Sequence, residues 1–161
     1  MTEELDLQPL DLFEVASVLV DSRSRRPSDA RLRRAQSSIY YAVFHCLAKC
    51  CGDMLVGGSG SVRSKHAWRQ AYRALGHGFA KEACKARPIV RQFPKDVEDF
   101  ANAFVVLQEK RHSADYDPRF RLTKSDVVAD IALADDVIKR FAQVPIKDRR
   151  AFSAHVLFRQ R

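Results

Sequence analysis

The chain has 161 residues, 46% hydrophobic and 30% charged, with a net charge of +8 and a pI near 9.6. That length suits one compact domain rather than two, and that balance excludes a disordered or fibrous chain. No run of about 18 apolar residues occurs, so no membrane-spanning helix is expected. The acidic N-terminal stretch has no basic region ahead of an apolar core, so no signal peptide is expected and a cytoplasmic location is the default.

The periodicity is helical throughout. A first helix starts near Pro9, a favoured first-turn residue, and runs to about Ser22, with Leu12, Ala16, Leu19 and Val20 as its apolar stripe. An Arg-rich link over 23–27 ends at Pro27. Ser28 or Asp29 then caps a second helix to about Asp53, whose apolar residues Leu32, Ala35, Ile39, Val43, Cys46, Leu47 and Cys50 recur at three and four. Gly57-Gly58-Ser59-Gly60-Ser61 reads as a loop. Ser64 caps a third helix over 65–75, Gly76-His77-Gly78 breaks it, and a short helix over about 79–86 precedes Pro88.

Pro94 opens a long helix with Val97, Phe100, Ala101, Phe104 and Leu107 on one face. It ends between Lys110 and Tyr116, because Asp117 precedes Pro118 and the helical region is disfavoured there. Thr123 with Asp126 forms a capping box for a helix over 124–143, with Val127, Ile131, Ala134, Val137, Ile138 and Phe141 inward. Pro145 separates a last basic helix over about 147–159. No segment alternates at period two for long enough to form a strand, and no repeat occurs. The expected fold is an all-α, single-domain bundle of four to six helices over 1–145, with residues 146–161 as a C-terminal basic helix packed on it or extending from it.

Charge is grouped. Residues 22–34 carry six arginines against Asp29, and residues 63–91 carry eight bases against Glu82. Such grouping focuses a field on a polyanion or makes a solvated basic face. Lys65, Arg69 and Arg73 recur at four residues and share a helix face, a candidate RNA-binding row. Trp68 and Tyr72 read most simply as a packing pair beside it. The four cysteines, Cys46, Cys50, Cys51 and Cys84, lack the paired spacing of a zinc site and read as buried thiols. No metal and no cofactor is implied.

Two runs carry the chemistry. Arg111-His112-Ser113-Ala114-Asp115-Tyr116-Asp117 packs a guanidinium, an imidazole, two acids and a phenol into a helix end. Tyr40-Tyr41-Ala42-Val43-Phe44-His45 offers a tyrosine pair and a histidine one turn on. An arginine stays charged and grips phosphate through a bidentate fork. Tyr41 and His45 share a face and could wall the same pocket.

These runs, with Ser64-Lys65-His66 at a helix start, resemble the HEPN superfamily, and within it a small bacterial family with Tyr-Tyr-Ala-x-Phe-His and Arg-x-x-Ala-Asp-Tyr motifs. The likeness covers roughly residues 10–142. It implies a helical bundle, often a homodimer, associated with RNA binding, metal-independent ribonuclease activity and toxin–antitoxin pairs whose second member is a small nucleotidyltransferase. The superfamily's nuclease signature places a histidine four to six residues after the arginine; here Tyr116 stands there, and Ser38 stands where relatives often have arginine. A literal match at Arg150 and His155 lies outside the region of likeness. The expectation is an RNA- or nucleotide-binding protein, with Arg111, Asp115, Tyr116 and His66 as candidate catalytic residues and Lys65, Arg69, Arg73, Tyr41 and His45 as RNA contacts. The alternatives are a non-catalytic module partnering a nucleotidyltransferase, or a metal-independent ribonuclease whose base is His45, His66 or His112.

Overall fold

A computed structural model describes residues 8–21 and 26–161. Among them are eight helices and no strand: α1 Pro9–Val20, α2 Asp29–Leu55, α3 Lys65–Arg73, α4 His77–Lys85, α5 Arg87–Val90, α6 Lys95–Tyr116, α7 Lys124–Ala142 and α8 Ile146–Leu157. The all-α bundle expected from periodicity is what the chain forms. Among the described residues no helix is long and apolar enough to cross a membrane. The expected end of the first helix at Ser22, and Arg23 and Arg25 of the link, lie outside the described residues.

The local signals act as their chemistry requires. Ser28 accepts from the Arg31 N–H and Ser64 from the Ala67 N–H, so each hydroxyl satisfies a first-turn donor that the helix leaves free. Thr123 and Asp126 bond each other's backbone N–H at 2.9 and 3.1 Å, a complete capping box. Gly57 has φ +128°, a conformation that L side chains rarely adopt, and turns the chain out of α2.

α2 is the central helix. Its stripe predicts burial on one side, yet Gln36, Ser37, Ser38, Tyr40, Ala42, Phe44, Ala48 and Cys51 are buried as well. The reason is its neighbours: α1, α3, α6, α7 and α8 all pack on it. Most side chains of its middle turns therefore meet another helix, while Arg31 and Arg34 of its first turns stay exposed. Phe100, Phe141 and Phe152 join α6, α7 and α8, with Phe100 and Phe141 stacked at 4.3 Å between ring centroids. α3 approaches α2 at Gly52, where an added Cβ would lie 2.7 Å from the Trp68 Nε1. That close approach requires glycine.

One arginine of the basic run has a structural task. Arg33 pairs with Asp29 at 2.7 Å, and its guanidinium donates to the carbonyls of Ala114, Asp117, Pro118 and Phe120. The last turn of α6 leaves carbonyls without intrahelical donors, and a cation there also opposes the helix dipole. Arg33 therefore fixes the end of α6 on which Asp115 stands.

The expected break at Gly76-His77-Gly78 needs correction. Gly76 is the extended residue preceding α4, and His77 is that helix's first residue. Two glycines around a histidine read as a loop, but the break spans Ala74, Leu75 and Gly76, and the histidine with its second glycine opens the next helix. The turn Arg87–Val90, with Pro88 in its first positions, was not anticipated.

Candidate functional site

Where α2, α3, α4 and α6 meet, two histidines are tied to two tyrosines. Tyr40 is fully buried on the inner side of α2. Its hydroxyl shares a hydrogen bond with His77 Nδ1 at 2.5 Å, and the His77 ring lies flat on Phe44 with centroids 4.0 Å apart. The Gln108 carboxamide donates to the His77 carbonyl at 3.0 Å and so fixes the start of α4 against α6. One turn along α2, His45 Nδ1 lies 2.5 Å from the Tyr72 hydroxyl of α3. The His45 ring is nearly parallel to Tyr41 on one side and Tyr72 on the other, at 6.1 and 5.9 Å.

Arg111 reaches this cluster from α6. Its guanidinium carbon lies 5.0 Å from the Tyr40 ring centroid and 5.7 Å from that of Tyr41. The electron-rich ring faces stabilise the cation without neutralising it. Its acid partner is Asp115, one turn on, at 3.6 Å, with side-chain exposures of 12% for the arginine and 29% for the aspartate. The Arg111 Nε is buried and has no hydrogen-bond partner.

The electrostatics follow from burial. Burial pushes the Tyr40 phenol well above its ordinary range, with Arg111 acting in the opposite direction. Burial lowers His45. Burial lowers His77 as well, and Arg111 and His45 lower it further. Both imidazoles start from 6.5, so both are neutral at pH 7. The result is one largely buried cation among tyrosine rings and neutral imidazoles, with one carboxylate beside it.

The predicted residues separate into three places. Arg111, Asp115, Tyr41 and His45 come together in this cluster. Lys65, His66, Arg69 and Arg73 lie exposed on α3; His66, Arg69 and Arg73 line an open depression of about 610 Å³ with Gln70 and Ala74. The two places adjoin through α3, where Tyr72 turns inward to His45 and Arg73 outward. Tyr116 is elsewhere: it is 69% exposed and packs on His112, with centroids 4.9 Å apart. The expected pairing of Arg111 with Tyr116 is therefore not formed, because a spacing of five residues puts them on different sides of α6. His66, one of the three candidate bases, is exposed on α3.

His77 was missed as a site residue because its glycine neighbours suggested a loop. Tyr40, the first of the tyrosine pair, is core, and its hydroxyl is the partner of His77. Trp68 and Tyr72 do pack on each other, at 5.2 Å between centroids. Trp68 also donates to Asp53 at 2.8 Å and lies under the Arg63 guanidinium, which anchors α3 to α2. Arg150 donates to the Met54 carbonyl, and His155 lies 2.8 Å from the Ala83 carbonyl, so this pair joins helices. Burial pushes the Cys51 and Cys84 thiols up to about 12, which leaves them unreactive. Among the described residues no group of three His, Cys, Asp or Glu side chains is arranged to hold a metal ion.

No family model, no curated protein and no solved structure matches this chain.

Proposed function

We propose that this chain binds RNA, or a nucleotide, through phosphate contacts at Arg111 and along the basic face of α3. The observation that carries the reading is the state of Arg111: a largely buried guanidinium with a partnerless Nε and an acid partner no closer than 3.6 Å. A buried cation short of acceptors is costly to keep. A phosphate oxygen is the acceptor that a guanidinium fork fits best. Around it stand tyrosine rings and neutral imidazoles, with the Tyr40 hydroxyl and one carboxylate as acceptors, and its Nε keeps a donor to offer. Lys65, Arg69 and Arg73 on the adjoining helix extend the positive field that a phosphate backbone follows.

The test is fluorescence anisotropy of a labelled single-stranded RNA against salt concentration. Affinity falls steeply with salt, and changing Lys65, Arg69 and Arg73 together to Ala weakens binding across sequences. That change also flattens the slope by about two, from roughly 0.7 per phosphate contact. Absence of binding would leave the non-catalytic module that partners a nucleotidyltransferase as the remaining reading.

A second reading, metal-independent RNA cleavage, is favoured by one specific feature. His45 and His77 supply neutral imidazoles beside Arg111, the protonation state that a general base needs. A neutral imidazole would take the 2′-hydroxyl proton as that oxygen bonds to phosphorus and the P–O5′ bond breaks, leaving a 2′,3′-cyclic phosphate and a 5′-oxygen protonated from solvent, while Arg111 would offset the growing charge. Cleavage of an RNA but not of its 2′-deoxy counterpart, lost in His77→Gln, is the expected result of this reading. An intact RNA after prolonged incubation would discard it.

A further inference from the structure

We infer that phosphate binding at the Arg111 cluster draws a proton onto His77, so that affinity for RNA rises as the solution becomes more acidic. This rests on the RNA-binding reading above. It concerns what holds charge balance at the junction of α2, α4 and α6.

The groups facing His77 come from three helices. From α2 come Tyr40, Tyr41 and Phe44, with His45 one turn further on. From α6 come the Gln108 carboxamide and Arg111. Along α4 itself, Lys81 is engaged with Glu109 of α6 at 3.4 Å. Tyr72 of α3 reaches the cluster through His45. Apart from Asp115, beside Arg111 at 3.6 Å, none of these groups brings uncompensated negative charge.

His77 is thus a basic group kept neutral by its surroundings. Its link to the binding cation is short: Arg111 lies over the Tyr40 ring, and the Tyr40 hydroxyl meets His77 Nδ1. A phosphate held by Arg111 adds the negative charge that the junction lacks and offsets the guanidinium field. An anion within a few ångströms favours the protonated imidazole. Proton uptake and phosphate binding then reinforce each other by the same factor in either direction.

The sign follows from the shift. The free protein holds His77 below 6.5, and an anion on Arg111 would raise it. Between those two values binding takes up a proton, and affinity climbs as pH falls. Above both values the imidazole is neutral in either state and pH has no effect through this group.

The experiment is isothermal titration calorimetry of the full chain near pH 6, with a single-stranded oligouridylate lacking terminal phosphates. Two buffers with different heats of ionisation give the number of protons taken up. Phosphodiester and uracil keep their charge in this range, so the protons belong to the protein. Net proton uptake is expected, with affinity up to about tenfold tighter per unit of pKa rise. In His77→Gln the bound fraction should take up no proton, whereas His155→Gln, outside the cluster, should keep the uptake. Binding with no proton uptake would overturn the inference and leave the RNA reading standing. Uptake that persists in His77→Gln would place the proton on another group and also overturn it. Absence of binding at any pH would remove both the inference and the reading beneath it.

Discussion

Arg111 and Arg140 sit on α6 and α7, which both pack on the central helix, and they are held in opposite ways. Arg140 of α7 meets Asp96 at 2.7 Å, Asp99 at 2.8 Å and Asp136 at 2.9 Å, with 35% of its side chain exposed. Every direction of its fork ends on a carboxylate. Arg111 of α6 has one carboxylate at 3.6 Å, two tyrosine faces and a buried Nε with no partner. A saturated arginine joins helices. An arginine left short of acceptors at a junction of half-buried polar groups has capacity for a ligand. Sequence cannot separate the two, since both stand four residues from an aspartate on a helix.

The contrast can be broken first at Arg140. Arg140→Ala leaves three aspartates facing one another and should lower stability by roughly 1 kcal/mol, a modest figure because the network is solvent-screened. Thermal unfolding measures it, and high salt should shrink the difference. RNA affinity should not change. A variant that melts normally but binds RNA poorly would assign the ligand to the wrong arginine.

The two regions should also titrate in separate windows. His45 and His77 are held below 6.5, so the unfolded chain binds protons first as pH falls. Their contribution to stability is therefore full above 6.5 and declines below it as the unfolded imidazoles charge. Asp99 is held below its usual 3.8, first by Lys95 and then by Arg140. Its contribution is full above 3.8 and is lost as pH falls through the lower folded value. Melting temperature against pH should show both declines. Arg111→Ala should soften the upper one and Arg140→Ala the lower. A flat profile between pH 7 and 5, marked out by the histidine range, would contradict neutral imidazoles at the junction.

The smallest effect is expected at Tyr116. Its ring is exposed and, among the described residues, meets the His112 ring alone, so Tyr116→Phe should leave melting temperature unchanged and RNA affinity within about twofold. A large loss of affinity would return Tyr116 to the site.

The helices were legible because their signals are local. Ser28, Ser64 and the Thr123–Asp126 box mark starts by side-chain chemistry within four residues, and Pro9, Pro94 and Pro145 act through fixed backbone angles. Four site residues were legible for the same reason, lying in two dense runs. His77 was not, because its role depends on a phenol 37 positions away. Nor was Arg33, whose carbonyl partners stand more than eighty positions on. Arg111 and Tyr116 looked like one site because they are near in sequence, but helix geometry separates them.

The most direct measurement is the dissociation constant of a single-stranded RNA for Arg111→Ala, beside wild type and Arg140→Ala, at one salt concentration where all three are folded. A charge-assisted phosphate contact contributes about 1.5–3 kcal/mol, so Arg111→Ala should bind at least tenfold more weakly while Arg140→Ala binds like wild type. Equal affinities for all three proteins, with Arg111→Ala losing only melting temperature, would show that Arg111 is a packing residue and would contradict the account.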